Sequence, residues 1–111
     1  SRPVSGNVVY TNYTGYLLDG SVFDSNLEDV AKENDIYDED RNYDIFSFFL
    51  GQSASNGGAI QGFTYGFQRI RSGAKATIII PSPYGYRDNE NVARVPANSV
   101  LVFDVDFLGM D

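Results

Sequence analysis

Apolar and polar residues alternate with a period of two in several segments of the chain, and this pattern limits the fold more than any other feature. The clearest case lies near the end of the sequence, where Phe103, Val105 and Phe107 alternate with Asp104 and Asp106. Because successive side chains of a strand point to opposite faces, this segment predicts a strand with one buried face and one wet face. The chain therefore has to bury one face of an antiparallel sheet.

Further segments of the same character predict a sheet of about five strands. The predicted strands cover residues 8–18, 21–24, 46–50, 74–80 and 101–107. The first two are separated by Asp19-Gly20, a dipeptide that is typical of a tight hairpin turn. Pro81 ends the fourth strand because proline cannot donate a hydrogen bond to a neighbouring strand.

One segment has helical periodicity. Its apolar residues recur on one face of a helix that we expect to end before residue 72, and they are Ile60, Phe63, Phe67 and Ile70. Gly62 and Gly66 inside it each cost about 1 kcal/mol of helix propensity relative to alanine, so we expect close packing against the sheet to compensate. The sequence thus predicts an α+β fold, with a strongly twisted antiparallel sheet wrapped around one short helix, as a single domain over residues 1–111.

Composition excludes several kinds of chemistry. The chain has no histidine and no cysteine, which excludes Ser-His-Asp and Cys-His catalysis, thiol redox chemistry and disulfide bonds. A net charge of -7 argues against binding to nucleic acid or to an anionic membrane surface. No apolar run is long enough to span a bilayer. We expect no cofactor and no metal, so any catalysis must use carboxylates, tyrosines or the shape of a pocket.

Most of the negative charge lies in residues 26–44, which contain eight acidic residues and two basic ones. Asp38, Asp40, Asn42 and Asp44 match positions 1, 3, 5 and 7 of a calcium-binding EF-hand loop. That motif also needs a glycine at its sixth position and a glutamate at its twelfth, where this chain has Tyr43 and Phe49. We therefore interpret the segment as an acidic, solvated insertion between strands, in which residues 27–32 can form a short helical turn.

Six ordered blocks of the sequence carry a resemblance to a known family. They are YTGYLLDGSVFDS at 13–25, FSFFLG at 46–51, IQGF at 60–63 followed by Gly66, GAKA at 73–76, IPSPYGY at 80–86, and VPAN at 95–98 running into LVFDV at 101–105. In this order the blocks resemble the FKBP-type peptidyl-prolyl isomerases, the family that binds macrolide immunosuppressants such as tacrolimus and rapamycin. One block alone would be a weak signal, but six in order are highly specific.

The resemblance implies a set of site residues. The substrate-binding pocket would be formed by Tyr13, Phe23, Asp24, Phe46, Ile60, Phe63, Tyr86, Val95 and Phe103. Among these, Asp24, Tyr86, Phe103 and Tyr13 would act in catalysis, with a hydrogen bond from Tyr13 to Asp24. Phe63 would form the floor, where the family usually has tryptophan. Arg41 lies near the place where the family often has an arginine facing the pocket aspartate.

The resemblance also implies the activity and the partners. The chain would assist protein folding by cis-trans isomerisation of the bond before proline in client proteins, acting as a monomer, with macrolides as inhibitors. An alternative is a peptide-binding or chaperone module of the same fold with weak or no catalysis. A third reading, an adhesion domain that binds calcium or carbohydrate through the acidic segment, predicts stabilisation by calcium.

Because the chain begins Ser1-Arg2-Pro3 and has enlarged acidic loops, we expect a trimmed chain from a bacterial periplasm or cell envelope, with the cytoplasm as the alternative.

Overall fold

Five antiparallel strands and two short α-helices form the fold in a computed structural model that describes residues 1–111. The strands are β1 (Val8–Tyr16), β2 (Val22–Ser25), β3 (Phe46–Phe49), β4 (Lys75–Ile80) and β5 (Leu101–Met110), and the helices are α1 (Glu28–Glu33) and α2 (Gln61–Phe67). Two 3-10 helices, Ala54–Asn56 and Ser82–Tyr84, lie in the loops before α2 and after β4. The α+β class and the five strands predicted from the sequence are confirmed.

Strand β1 is the centre of the sheet. One of its edges pairs with β5 along nearly its whole length, and the other edge is shared by β3 near its start and β2 near its end. Strand β4 pairs with the far edge of β5. In this register Gly15 lies opposite Asp24 on one side and Phe103 on the other. The pairing therefore brings together three sequence blocks that are distant along the chain.

Helix α2 crosses β4 in close contact, as the two glycines in its sequence predict. A Cβ atom at Gly62 would lie 2.5 Å from the side chain of Ile80, and one at Gly66 would lie 2.7 Å from that of Ile78. No side chain larger than hydrogen fits at either position without displacing an isoleucine. The close packing of helix on sheet thus offsets the low helix propensity of glycine.

Two expectations about helices differ from the structure. Helix α2 ends at Phe67, so Ile70 lies beyond it in a turn, where its N–H donates to the Phe67 carbonyl oxygen at 3.3 Å. The short helical turn predicted at residues 27–32 is present as α1, but the acidic segment is not wholly solvated, because Ala31 is buried. Of the two helices, only α2 contributes residues to the main hydrophobic core, and neither helix is long and apolar enough to cross a membrane.

Candidate active site

A cavity of about 310 Å³ lies between α2 and the concave face of the sheet. This volume is at the small end of the range for ligand pockets in proteins. Its ten lining residues, eight of them hydrophobic, are Tyr13, Asp24, Phe46, Ala54, Gly58, Ala59, Ile60, Phe63, Tyr86 and Phe103. A cavity of this size and apolar character suits one small, flat, apolar group.

Seven of the nine residues implied by the resemblance line this cavity, and two do not. Phe23 is 2% exposed and packs edge-on against the rings of Phe103 and Tyr86, with centroids 5.5 and 6.4 Å apart. Val95 is likewise buried in the hydrophobic core. Phe23 packs against two walls of the cavity and Val95 lies in the hydrophobic core, so contact of either residue with a ligand stays a prediction.

Phe63, the residue predicted to form the floor, lines the cavity. Its ring is almost fully buried and meets the rings of Phe103, Tyr13 and Phe46 edge-on, at centroid distances of 4.7, 6.1 and 6.3 Å. Edge-to-face pairs of this kind contribute about 0.5–1.5 kcal/mol each beyond the area that they bury. The aromatic walls are thus fixed by one another, and the cavity keeps its shape without a ligand.

Asp24 is the only charged residue that lines the cavity, and it is bound on both carboxylate oxygens. The Tyr13 hydroxyl donates to one oxygen at 2.7 Å, and Arg41 Nη1 donates to the other at 2.7 Å. Arg41 Nη2 also donates to the Tyr13 hydroxyl at 3.1 Å. The hydrogen bond predicted between Tyr13 and Asp24 is confirmed, and the arginine that faces the aspartate is Arg41.

Within the triad of Tyr13, Asp24 and Arg41, the tyrosine and the arginine keep their protonation states around neutral pH. Burial raises the pKa of the Tyr13 hydroxyl well above its ordinary value, and the Asp24 carboxylate raises it further. Burial opposes the charge on Arg41, but the hydrogen bonds to Asp24 and Tyr13 outweigh it and raise the pKa of the guanidinium overall. Tyr13 therefore stays a proton donor and Arg41 stays a cation, so the triad supplies fixed charges and dipoles to the cavity.

The acidic segment carries Arg41 to this position. Asn26 joins both ends of the segment to β1: its amide nitrogen donates to the Asn12 side chain at 2.9 Å and to the Asp44 carbonyl oxygen at 3.0 Å. The Tyr13 N–H donates to the amide oxygen of the same asparagine at 2.8 Å. One buried side chain thus closes the segment at its base and fixes the Tyr13 backbone.

A stack of aromatic and basic side chains orders the outer part of the segment. The rings of Tyr37 and Tyr43 stack at 5.3 Å, Lys32 lies 4.9 Å from the first ring and Arg41 lies 5.1 Å from the second. Contacts between a cation and a ring contribute about 0.5–1 kcal/mol at exposed sites. The stack therefore holds the Arg41 side chain on the side from which it reaches Asp24.

The same segment shows no metal-binding arrangement. No three carboxylates of the chain converge in a way that could hold a metal ion. The side chain of Asp38 is used locally, since its Oδ1 accepts a hydrogen bond from the N–H of Asp40 at 2.9 Å.

Two polar groups at the cavity have no partner within the chain. The Tyr86 hydroxyl forms no side-chain hydrogen bond, and burial followed by the nearby Asp24 charge raises the pKa of this phenol. The N–H of Ile60, directly before α2, donates to no backbone carbonyl. Both groups are therefore available as hydrogen-bond donors to a ligand.

Sequence reasoning missed three lining residues, Ala54, Gly58 and Ala59. Ala54 and Gly58 lie within residues 53–58, where the resemblance implies an added loop, and Ala59 directly follows it. The loop folds back on itself because the N–H groups of Asn56 and Gly58 both donate to the Ser53 carbonyl oxygen, at 2.9 and 2.8 Å. A Cβ at Gly58 would overlap the Gln52 carbonyl oxygen, so only glycine fits there. The Gly57-Gly58 pair was the one signal of this tight fold.

Comparison with known proteins agrees with this geometry. The family whose sequence model matches residues 1–108 is described as FKBP-type peptidyl-prolyl cis-trans isomerase. A short-type peptidyl-prolyl cis-trans isomerase of Methanocaldococcus jannaschii is 36% identical, over 83% of this chain and 57% of that protein. An FK506-binding protein 1A of Aspergillus fumigatus is 34% identical, over 98% of this chain and 82% of that protein.

A solved structure has the same fold. The crystal structure of FkpA from Escherichia coli matches with a TM-score of 0.72 and 31% identity, over 100% of this chain and 43% of that one. The chain therefore belongs to the family of FKBP-type peptidyl-prolyl cis-trans isomerases. The chain spans 57% of the archaeal relative and 43% of the FkpA chain.

Proposed function

We propose that this chain catalyses cis-trans isomerisation of Xaa-Pro bonds in client proteins, and that the aromatic cavity is where the proline ring binds. The observation that carries the proposal is an apolar cavity of about 310 Å³ with a fixed charged triad on one wall and two free donors. The reaction needs no nucleophile and no proton transfer, so a chain without histidine or cysteine can perform it.

The cavity would act on the energy of the planar amide. Resonance places negative charge on the amide oxygen, and water stabilises that charge more than it stabilises the twisted form. The uncatalysed barrier is about 18–20 kcal/mol, and exchange takes on the order of tens to hundreds of seconds. Binding in a water-poor cavity formed by Phe46, Phe63 and Phe103 would favour the twisted amide, and a roughly 10⁴-fold acceleration requires about 5.5 kcal/mol.

The free donors would orient the peptide. The Tyr86 hydroxyl and the Ile60 N–H would each donate to a carbonyl oxygen of the client, which fixes a bent conformation around the proline. The Asp24 carboxylate, already bound by Tyr13 and Arg41, would add a local field at the reacting amide without accepting a proton.

A direct measurement of exchange tests the proposal. We expect micromolar protein to accelerate cis-trans exchange in a short Leu-Pro peptide, as followed by NMR exchange spectroscopy, and we expect tacrolimus to inhibit it by occupying the same cavity. If tacrolimus leaves the acceleration unchanged, the reaction takes place outside this cavity. Peptide binding without any acceleration would contradict catalysis and leave a peptide-binding module of the same fold.

Removing one hydroxyl tests the role of Tyr86. We expect Tyr86→Phe to lower kcat/KM about two- to tenfold, the range for loss of one hydrogen bond, and to leave the free energy of unfolding within about 0.5 kcal/mol. Tyr84→Phe is the matched control, because Tyr84 is 43% exposed and lies outside the cavity. Equal activity of the two variants would remove the Tyr86 hydroxyl from the mechanism.

We also propose that the chain acts as a monomer, because seven of the nine residues implied for the site come together within a single chain. For its location we propose the bacterial cell envelope rather than the cytoplasm, on its similarity to bacterial proteins such as FkpA of Aeromonas hydrophila, which is 32% identical over 100% of this chain. Cell fractionation followed by immunoblotting distinguishes the two compartments.

A further inference from the structure

A second groove, of about 470 Å³, continues from the aromatic cavity. The two share three lining residues, Ala54, Ala59 and Ile60. Beyond them, the groove runs between the loop that begins at Gly51 and the exposed side of α2. A client chain whose proline ring occupies the cavity has to leave it over a rim, and this groove adjoins the cavity at the three shared residues.

The groove contains one charged residue, Arg87, which directly follows Tyr86. The chain as a whole is strongly acidic, with a net charge of -7. Even so, no carboxylate lies within ion-pair distance of Arg87, since the salt bridges of the chain join Lys32 to Glu28 and Arg41 to Asp24. Arg87 is therefore an unpaired cation on the path that leads out of the cavity.

The local structure holds Arg87 in place. Its φ of 56° lies in the left-handed region, which is unfavourable for arginine, and the loop maintains it by two backbone hydrogen bonds. The N–H donates to the Ser82 carbonyl oxygen at 3.1 Å, and the carbonyl oxygen accepts from the Asn98 N–H at 2.6 Å. The side-chain Nε donates to the Pro83 carbonyl oxygen at 3.0 Å. This arrangement leaves both Nη groups free to bind the two oxygens of one carboxylate.

We infer that the second groove binds the client segment next to the Xaa-Pro bond, and that Arg87 selects clients with an acidic side chain in that segment. The inference rests on the proposed function of the aromatic cavity and adds a substrate preference to it. Charge complementarity favours an acidic occupant, because the groove offers a fixed guanidinium and no competing carboxylate. Arg87 would thus determine specificity without contacting the reacting amide.

A peptide series with the full chain tests this inference. The parent peptide has a Leu-Pro core with glutamine at every flanking position, and each other member carries one glutamate in its place, either before or after the core. On one side of the core, we expect glutamate to raise kcat/KM about two- to fivefold over glutamine at low salt, as for an exposed ion pair of good geometry. Raising the ionic strength should weaken the preference.

Matched charge reversals identify the residue responsible. Arg87→Glu should reverse the preference, so that glutamate becomes worse than glutamine, whereas Arg71→Glu changes the net charge equally at an exposed position outside both grooves and should retain it. Arg87→Gly suits the left-handed backbone, so it removes the guanidinium with little risk to the fold and should abolish the preference.

Any of three results overturns the inference. Glutamate is favoured at no position, the preference for glutamate persists in both Arg87 variants, or Arg71→Glu loses the preference as fully as the Arg87 variants do. Cis-trans exchange of the all-glutamine peptide, measured with the parental protein, distinguishes failure of this inference from failure of the proposed function. If that peptide is isomerised and glutamate gives no advantage, the groove inference alone fails. If it is not isomerised, the proposed function fails and the inference fails with it.

Discussion

Replacing Phe103 with alanine is expected to lower the free energy of unfolding by about 3–5 kcal/mol, the cost of truncating a buried phenylalanine. Phe103 is 2% exposed, and its ring packs edge-on against Phe63, Phe23 and Tyr13. The same change removes one apolar wall of the cavity and admits water, so we expect kcat/KM to fall by about tenfold or more. Urea titration followed by circular dichroism measures the first effect, and the exchange assay measures the second.

Phe49→Ala is the control for this experiment. It makes the same truncation in a strand of the same sheet, but the Phe49 side chain is 47% exposed and lies outside the cavity. We expect it to cost less than about 1 kcal/mol and to retain activity. A Phe103→Ala protein as stable as the control would contradict the packing described for Phe103, and one with full activity would exclude this ring from the catalytic cavity.

Gly15→Ala is expected to destabilise the fold by about 1–3 kcal/mol, the usual cost of adding a methyl group to a filled core. A Cβ at Gly15 would lie 2.6 Å from Phe23 Cζ and 2.7 Å from Phe103 Cε1. Both rings would have to move, and Phe103 lines the cavity. Because displacements of about 1 Å in a site cost up to about 10²-fold in rate, we expect kcat/KM to fall by about tenfold or more.

Gly109→Ala is the matched change for Gly15→Ala. Gly109 also lies within a strand, and a Cβ there meets no atom within 4 Å. We expect the Gly109 variant to unfold at the same urea concentration as the parent protein or at a higher one, since alanine orders more easily than glycine. Equal urea midpoints for the Gly15 and Gly109 variants would show that the rings of Phe23 and Phe103 accommodate the extra methyl group at no cost in stability.

The sequence predicted the strands well because their signals are local. Alternation placed Phe103, Val105 and Phe107 on one face of β5, and all three are buried. Asp19-Gly20 likewise marked a turn in which the Leu17 N–H donates to the Ser21 carbonyl oxygen at 2.9 Å, and Gly20 has a φ of 88°. Both features depend only on residues close together in the sequence.

Features that depend on distant contacts were harder to predict. The end of α2 at Phe67, before Ile70, is not encoded in the apolar spacing, which continues past it. The orientation of Phe23 depends on Gly15 and Phe103, which no pattern within residues 21–24 reveals. The loop residues Ala54 and Ala59 enter the cavity only because residues 51–59 fold back, and small side chains carry little pattern of their own.

The pairing of β1 with β5 constrains when the chain can fold. Val9 pairs with Met110, and Gly15 pairs with Phe103, so the central strand finds its main partner only after roughly ninety to a hundred further residues have been synthesised. At ordinary rates of synthesis, β1 waits on the order of ten seconds for that partner. Contacts so far apart in sequence also slow folding, because the loop between them has to close first. The nascent chain therefore has no assembled cavity until translation of this region is complete, and in that interval its unpaired strand is exposed to chaperones and to aggregation.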